Sequence, residues 1–187
     1  FVVTDAAGNT ATCSFDVTVN DTEDPVATCP ADITVSNDAG VCGAAVTYVV
    51  TTSDNCPGET IVQTVGQASG TVFPIGTTTN TFVVTDAAGN TATCSFDVTV
   101  NDTEDPVATC PADITVSNDA GVCGAAVTYV VTTSDNCPGE TIVQTAGQAS
   151  GTVFPIGTTT NTFVVTDASG NTATCSFDVT VNDTEGP

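Results

Sequence analysis

The segment Cys94-Ser-Phe96-Asp-Val98-Thr-Val100 alternates apolar and polar residues without a break. In an extended strand, successive side chains point to opposite faces, so its four apolar residues share one face. Strict alternation of this kind is typical of a strand with one buried and one solvated face. The segment therefore predicts β structure with a buried core on one side.

The chain is built from a repeated sequence. The segment Phe82-Val-Val-Thr-Asp86 occurs again at Phe1 and at Phe163, and each of these positions is 81 residues from Phe82. A period of this length exceeds a solenoid unit, so each repeat should be a complete small domain. We expect the chain to be a slice of a longer secreted polypeptide, made of the C-terminal part of a preceding repeat and two whole repeats: 1–24, 25–105 and 106–187. The two whole repeats differ at three positions: Val65/Ala146, Ala88/Ser169 and Asp105/Gly186.

Other parts of a repeat carry the same alternation of apolar and polar residues. The apolar positions are Ile33 and Val35; Val46, Tyr48 and Val50; and Phe82 and Val84. Turn-forming Gly, Asn, Asp and Pro separate these stretches, at 37–40, 55–58, 73–76 and 86–90. About seven short strands in a domain of this size predict an all-β fold of tandem immunoglobulin-like β-sandwich domains.

The charge of the chain excludes several functions. It has 22 acidic residues and no Lys, Arg or His, which gives a formal net charge of −22. A chain without cations cannot neutralise phosphates, so we expect no nucleic-acid binding, and no membrane insertion either. Most acid–base and nucleophilic catalysis needs His, Lys or an activated partner, so an enzyme would have to work with carboxylates alone. We therefore predict a non-catalytic protein without an organic cofactor.

The cysteines indicate a disulfide-bonded extracellular or cell-surface protein. Nine Cys without His favour disulfides over zinc sites, and disulfides persist in oxidising compartments. Each repeat has four, at 29, 42, 56 and 94 and at 110, 123, 137 and 175, and Cys13 belongs to the truncated copy. Four cysteines allow three connectivities. A bridge between repeats such as Cys94–Cys110 is disfavoured, because the last strand carries the chain ~20 Å away from Cys94.

Several separated motifs resemble the hyalin repeat (HYR) family. They are Cys29-Pro-Ala-Asp-Ile, Asp54-Asn-Cys56, Phe73-Pro-Ile-Gly-Thr-Thr and Val84-Thr-Asp-Ala-Ala-Gly-Asn-Thr-Ala-Thr-Cys-Ser-Phe96. The resemblance implies an immunoglobulin-like fold, extracellular adhesion, arrays like those of secreted and surface proteins of Bacteroidota, and no catalytic residues. Family members that have only two cysteines resemble this chain at the first and fourth cysteines of a repeat. The resemblance thus implies Cys29–Cys94 and leaves Cys42–Cys56, with Cys110–Cys175 and Cys123–Cys137 as their equivalents.

The acidic residues near the junctions form a candidate calcium site. In a sandwich, the linker should approach the loops at the upstream end of the next repeat. Hard oxygen ligands from a linker and two loops suit Ca²⁺, which takes 6–8 oxygens. The alternative is that these residues are solvated turn formers that keep the array soluble. The candidate ligands are Asp21, Glu23, Asp24, Asp54 and Asp86 at one junction, and Asp102, Glu104, Asp105, Asp135 and Asp167 at the next.

Candidate glycosylation positions lie in and near the linkers. Asn20 and Asn101 begin N-glycosylation sequons, although these are one motif copied along the chain. Thr77, Thr78 and Thr79 form a cluster that O-glycans could modify. The alternative for these threonines is that they serve only as good strand and turn residues.

Two functions fit this sequence. The first is a structural module that forms a stiff extended rod or fibre, such as a filament or adhesin stalk, with further copies of the same repeat as its partners. The second is an adhesin module that recognises a glycan or protein at a cell surface. Near-identity of the repeats and the scarcity of aromatic residues favour the first, because binding sites are enriched in exposed aromatic anchors.

Overall fold

The structure is a computed structural model that describes residues 1–186; Pro187, the end of the third predicted segment, lies outside them. The leading segment holds a hairpin of β1 (Val2–Thr4) and β2 (Thr10–Thr12). The first repeat contains β3 (Val26–Thr28), β4 (Ile33–Ser36), β5 (Gly43–Val46), β6 (Thr51–Ser53), β7 (Thr60–Val65), β8 (Thr71–Pro74), β9 (Gly76–Thr85) and β10 (Thr91–Asn101). The second contains β11 (Val107–Thr109), β12 (Ile114–Ser117), β13 (Gly124–Val127), β14 (Thr132–Ser134), β15 (Thr141–Ala146), β16 (Thr152–Pro155), β17 (Gly157–Thr166) and β18 (Thr172–Asn182). No helix within residues 1–186 is long and apolar enough to cross a membrane.

Each repeat is a β-sandwich, which confirms the predicted fold class. In the first repeat a four-stranded sheet has the order β4-β10-β9-β7, in which only the β4–β10 pair is parallel. The opposing layer consists of the antiparallel pairs β3-β6 and β5-β8. The second repeat has the same pairings in β11 to β18. The long β9–β10 hairpin has its polar face in solvent and its apolar face on the core, as the alternation of 94–100 predicted.

The core lies between the two layers and is built from aliphatic and aromatic side chains. Val98 and Val100 of β10 are fully buried, as is Phe73 of β8. The Tyr48 ring meets three phenylalanine rings edge-on, and its closest centroid distance is 4.9 Å, to Phe96. Each Å² of apolar surface removed from water stabilises the folded state by about 25 cal/mol. This cluster is therefore the main contribution to the stability of a repeat.

The predicted strand around Tyr48 is interrupted in the structure. Residues 47–50 are not in a strand, and β5 and β6 flank them. The Ser69 hydroxyl donates to the Tyr48 carbonyl oxygen and accepts from the Tyr48 N–H, each at 2.8 Å. One side chain thereby satisfies both backbone groups, so no neighbouring strand is needed there.

A buried amide joins β9 to the turn after β7. Asn80 is fully buried, and its Oδ1 accepts hydrogen bonds from the Gln67 N–H at 2.9 Å and from Gln63 Nε2 at 3.1 Å. Gly66 lies against this amide with a φ of +96°. A buried polar group is tolerated only when it is hydrogen-bonded, so this contact restricts position 66 to a residue without a Cβ.

Each repeat is also closed by a disulfide on the core. Cys29 follows β3, Cys94 lies in β10, and their Cα atoms are 5.7 Å apart. Cys110 and Cys175 are bonded in the same way in the second repeat. These are the two pairs that the family resemblance implied.

Candidate functional site at the repeat junction

The remaining cysteines correct the expected connectivity. The structure joins Cys42 of the first repeat to Cys137 of the second, with their Cα atoms 4.8 Å apart. The expected Cys42–Cys56 and Cys123–Cys137 bridges are absent, because Cys56 and Cys123 are exposed free thiols. The bridge connects the repeats, whereas the expected ones would have closed a loop within each.

The reason lies in the length of the strands between the two positions. Cys42 immediately precedes β5, and Cys56 comes shortly after β6. At about 3.3 Å per residue, these strands carry the chain from one end of the sandwich to the other. A disulfide requires Cα atoms less than about 7 Å apart, so the two thiols of one repeat cannot meet. Cys42 lies at the end of the first repeat that faces the second repeat, and there it meets Cys137.

Hydrogen bonds between the repeats surround this bridge. Asn136 Nδ2 of the second repeat donates to the Val41 carbonyl oxygen at 3.2 Å. In the linker, Asp102 offers its carbonyl oxygen to Asn171 Nδ2 at 3.3 Å and a carboxylate oxygen to the Ser169 hydroxyl at 3.3 Å. Ser169 replaces Ala88 of the first repeat, so one of the three differences between the repeats lies in this contact. Comparing the two repeats revealed the Ala88/Ser169 difference, but nothing in the sequence indicated that Ser169 contacts the linker.

The linker also binds back to the repeat that precedes it. Glu104 Oε2 accepts hydrogen bonds from the Gly40 N–H at 2.8 Å and from Asn37 Nδ2 at 3.3 Å. Asn37 Oδ1 in turn accepts from the Thr103 N–H at 3.0 Å. The loop that carries Cys42 is thus fastened to the linker from both sides. This position of Glu104 was not expected, because it lies away from the acidic cluster to which sequence reasoning assigned it.

Three of the candidate calcium ligands at the first junction lie together. Carboxylate oxygens of Asp21, Asp54 and Asp86 are within 4.8 Å of one another. Asp21 Oδ2 and Asp54 Oδ1 are buried and have no nitrogen or oxygen donor. The Cys56 thiol lies beside Asp21, and its contact with this carboxylate raises the pKa of the thiol. The linker supplies Asp21, and two loops supply the others, as the sandwich geometry predicted.

Asp86 accepts several hydrogen bonds from its own turn. Its Oδ1 accepts from the Gly89 N–H at 2.6 Å and from the Asn90 N–H at 2.7 Å, and its Oδ2 accepts from Asn90 Nδ2 at 2.7 Å. Burial raises the pKa of Asp86, but these donors outweigh it and the net pKa is below the usual value. Asp167, its equivalent, has a lowered pKa for the same reason. Both carboxylates therefore stay ionised inside the junction.

The second junction presents a smaller acidic group. Asp102 and Asp135 lie within 4.8 Å of each other and of the Cys137 sulfur, which is not available as a thiolate because it is bonded to Cys42. Asp135 Oδ1 and Asn136 Oδ1 are buried without a partner. These atoms are the unsatisfied acceptors at the second junction within residues 1–186.

The other predicted ligands and the glycosylation candidates lie elsewhere. Glu23 Oε2 accepts from Asn55 Nδ2 at 3.1 Å, and Asp24 and Asp105 are exposed outside the two acidic groups. Asn20 and Asn101 are exposed, with Asn101 at the end of β10. The threonine cluster lies in β9, where the Thr79 hydroxyl donates to Asp97 Oδ1 at 2.6 Å and Thr77 pairs with Thr99.

One protein-family model matches most of this chain. The HYR domain model matches residues 20–100 and 101–181, which together make up most of the chain. This chain belongs to the HYR domain family. The two HYR domains follow one another directly in the match.

Two sea urchin proteins named hyalin are similar to nearly the whole of this chain. Hyalin of Strongylocentrotus purpuratus is 33% identical over 188 residues, which cover 97% of this chain and 16% of that protein. Hyalin of Lytechinus variegatus is 33% identical over 192 residues, which cover 98% of this chain and 36% of that protein. The HYR chain thus spans well under half of the length of these relatives. The family match and these relatives suggest a non-catalytic module.

The solved structures that match this chain include cadherin extracellular domains. The protocadherin gammaB4 extracellular domain matches with a TM-score of 0.40 and 16% identity, over 97% of this chain and 37% of that one. Drosophila N-cadherin EC1–4 matches with a TM-score of 0.40 and 11% identity, over 86% of this chain and 50% of that one.

Proposed function

We propose that this chain is a structural module of an extracellular array, in which successive HYR domains are held as a stiff extended rod. The observation that carries the proposal is the covalent junction: Cys42 and Cys137 join the two repeats. A single peptide linker allows neighbouring domains to reorient, whereas a second covalent connection restricts both rotation and separation. The hydrogen bonds of Glu104 and Asn136 act on the same loop and restrict it further.

Removing the bridge tests this function. In Cys42→Ser, the junction keeps its linker and loses its second covalent connection, so the two repeats should sample a wider range of orientations. Small-angle scattering of the whole chain should then show a smaller maximum dimension and a broader distance distribution than the parent protein. Cys123→Ser is the matched control, because it removes the equivalent cysteine where no bridge is formed. Identical profiles for Cys42→Ser and the parent would contradict a stiff rod.

We also propose that Ca²⁺ occupies the first junction. Asp21, Asp54 and Asp86 would supply its carboxylate oxygens, because two of these oxygens are buried without a nitrogen or oxygen donor and the three negative charges converge, which favours a cation between them. Hard oxygen donors of this type suit Ca²⁺ rather than a softer metal. The bound ion would offset the mutual repulsion of the carboxylates and hold the linker against the two loops. Asp102 and Asp135 offer a smaller set at the second junction.

Calcium titration of the whole chain tests this site. We expect calorimetry to detect binding in the range of extracellular calcium modules, with a Kd of about 10⁻⁴–10⁻³ M. Asp54→Asn removes a ligand and should weaken binding by about tenfold, or roughly 1.4 kcal/mol. Asp24→Asn is the matched control, because it removes the same charge from an exposed position in the same linker. Equal weakening in both variants would show that calcium is only attracted by the overall negative charge.

The alternative adhesin function has less support in the structure. The aromatic side chains of the two repeats pack in the cores, where Phe82 and Phe96 are buried and Tyr48 contacts both. In the described part of the chain, only Phe1 and Phe15 of the leading segment are strongly exposed aromatics. Recognition surfaces rely on exposed aromatic anchors, so a rod fits these repeats better than a glycan- or protein-binding site.

We infer an extracellular, secreted or cell-surface location from the same features. Disulfides within and between the repeats need an oxidising compartment. The Bacteroidota setting that the resemblance implied is part of this proposal, whereas the relatives described above are sea urchin proteins. We also propose that Asn20, Asn101 or the β9 threonines carry glycans, because Asn20 and Asn101 are exposed and begin sequons.

A further inference from the structure

We propose that separate molecules of this protein associate side by side, by pairing the edge strand of a repeat in one molecule with the edge strand of a repeat in another. The edge strands are β7 and β15, each of which is the last strand of a four-stranded sheet. Within residues 1–186, β7 pairs only with β9, and β15 pairs only with β17. This inference goes beyond the proposed function, which concerns a single chain.

An edge strand offers half of its backbone groups to a further strand. In an antiparallel pair, the N–H and C=O groups of alternate residues point toward the partner, and those of the residues between them point away. The groups of β7 that point away from β9 form such an open edge. Residues 60–63 keep a regular register with residues 82–85, ahead of the irregularity between Gln63 and Val65. This regular part of β7 can therefore extend the sheet by one strand.

The side chains of the edge strand are apolar and exposed. Ile61 and Val62 are 42% and 58% exposed, and Val65 at the end of β7 is also exposed. β-branched residues of this type fit a pleated, half-buried surface. The segment 60–65 contains no charge, Pro or Gly, and such segments are typical of strands that pair with other chains. A second strand on this edge would remove these side chains from water.

The exposure of the edge strand does not depend on the neighbouring repeats. A whole repeat follows the first repeat, and a whole repeat precedes the second. Ile142 and Val143 of β15 are nevertheless 42% and 59% exposed, nearly the same values as their equivalents in β7. The junction between repeats therefore leaves this strand uncovered on both sides of it, so each repeat of an array presents one open edge.

The distribution of charge favours a second copy of this chain as the partner. Residues 60–85 and 141–166, which contain the edge strands, have no acidic residue, whereas the whole chain has a net charge of −22. Two copies repel each other wherever their carboxylates meet, but charges more than about 8 Å apart are largely screened at physiological ionic strength. The edge strand is thus where two copies approach with the least repulsion. A cationic partner would be attracted to the acidic surfaces instead.

Two other sheet edges of the repeat carry protective features that β7 lacks. β4 directly follows Asp32, and β8 ends at Pro74. Charges and prolines at a sheet edge hinder the addition of another strand. Glu59 precedes β7, but its carboxylate oxygens accept hydrogen bonds from the Thr52 hydroxyl at 3.5 Å and from the Gly58 N–H at 3.2 Å. Because Thr52 belongs to β6 of the opposing layer, these bonds direct Glu59 away from the open edge.

Antiparallel pairing of two equivalent edge strands gives a self-complementary contact. The two strands are related by a two-fold axis, so each supplies the same residues to the other. A single pair of such short strands is weak, because an isolated two-stranded contact is marginally stable in water. When several repeats of two molecules pair together, the first contact raises the effective concentration of the others. Association should therefore become stronger as the number of repeats increases.

The test measures the average mass of the whole chain in solution by sedimentation equilibrium over a concentration series. A chelator removes calcium and iodoacetamide blocks the free thiols, so that neither ion bridging nor disulfides join the molecules. We expect the average mass to rise with concentration, and to rise more steeply at higher salt, because salt screens the repulsion between copies. Hydrogen exchange should show protection that increases with concentration in peptides containing β7 and β15, but not in peptides containing β4 and β12.

Two matched pairs of substitutions locate the contact. Val62→Glu with Val143→Glu places like charges across the paired strands and should weaken association by about tenfold. Both valines are more than half exposed, so each repeat should keep its fold. Val49→Glu with Val130→Glu is the control, because it adds the same charge at exposed valines between two strands of the opposing layer.

The proposal is wrong if both pairs of substitutions weaken association equally, because the effect would then come from net charge alone. It is also wrong if the parent chain stays monomeric over the whole concentration series, at low and at high salt. Either result leaves the bridge between Cys42 and Cys137 unaffected, so the proposed rod would stand.

Discussion

Removing the Cys29–Cys94 bridge with Cys29→Ser and Cys94→Ser is expected to lower the free energy of unfolding of the first repeat by about 4 kcal/mol. The two cysteines are 65 residues apart, so the bridge closes most of the repeat into one loop. Closing a loop of this length removes much of the conformational entropy of the unfolded chain. A domain with so few aromatic residues has a small core, so a loss of this size is a large part of its stability.

Hydrogen exchange followed by mass spectrometry can read the two repeats separately. Peptic peptides that contain Val65 differ in mass from those that contain Ala146, and the second repeat keeps its own bridge between Cys110 and Cys175. Protection should fall in the first repeat and remain in the second, which makes the second repeat an internal control. Equal loss in both repeats would mean that the stability of each depends on the whole array rather than on its own bridge.

The second large effect is expected from Gly66→Ala, which should cost about 3 kcal/mol or more of unfolding free energy. A Cβ at this position would overlap Asn80 Oδ1 and come within 2.7 Å of the Thr79 carbonyl oxygen. The buried amide would then have to move, and its hydrogen bonds from Gln67 and Gln63 would be lost. An unsatisfied buried polar group costs about 1–3 kcal/mol, in addition to the strain of a positive φ.

Gly70→Ala is the matched control for this effect. Gly70 has a similar φ of +83°, but a Cβ there would meet nothing within 4 Å. It should therefore cost only the backbone strain, about 1–2 kcal/mol. Chemical denaturation of both variants measures the difference. If the two variants are equally destabilised, the contact with Asn80 makes no net contribution and the φ alone explains the requirement for glycine.

Much of the fold can be predicted from local patterns, because a strand records its burial in its own alternation. The buried face of β10 follows directly from the spacing of Phe96, Val98 and Val100. The break after β5 could not be predicted, because it depends on Ser69, a residue distant in the chain that satisfies the backbone of Tyr48. The buried Asn80 was not foreseen for the same reason. Its partners come from another strand and a turn.

The candidate site could likewise be predicted only in part. Sandwich geometry brings the linker to the upstream loops, so the meeting of Asp21, Asp54 and Asp86 could be anticipated. The position of Glu104 could not, because its partner, the Gly40 N–H, is a backbone group with no distinctive residue type. Calcium binding at these residues stays a prediction.

The amino-acid sequence alone establishes that this protein is a tandem array of all-β, disulfide-bonded domains, because period, alternation and composition are properties of the chain itself. It does not establish which cysteines meet across the junction. Every cysteine of one repeat has a near-identical environment in the next, so bridges within and between repeats have the same local sequence. The three-dimensional arrangement resolves this, because the strands place Cys42 and Cys56 at opposite ends of one sandwich and bring Cys42 to Cys137 of the next.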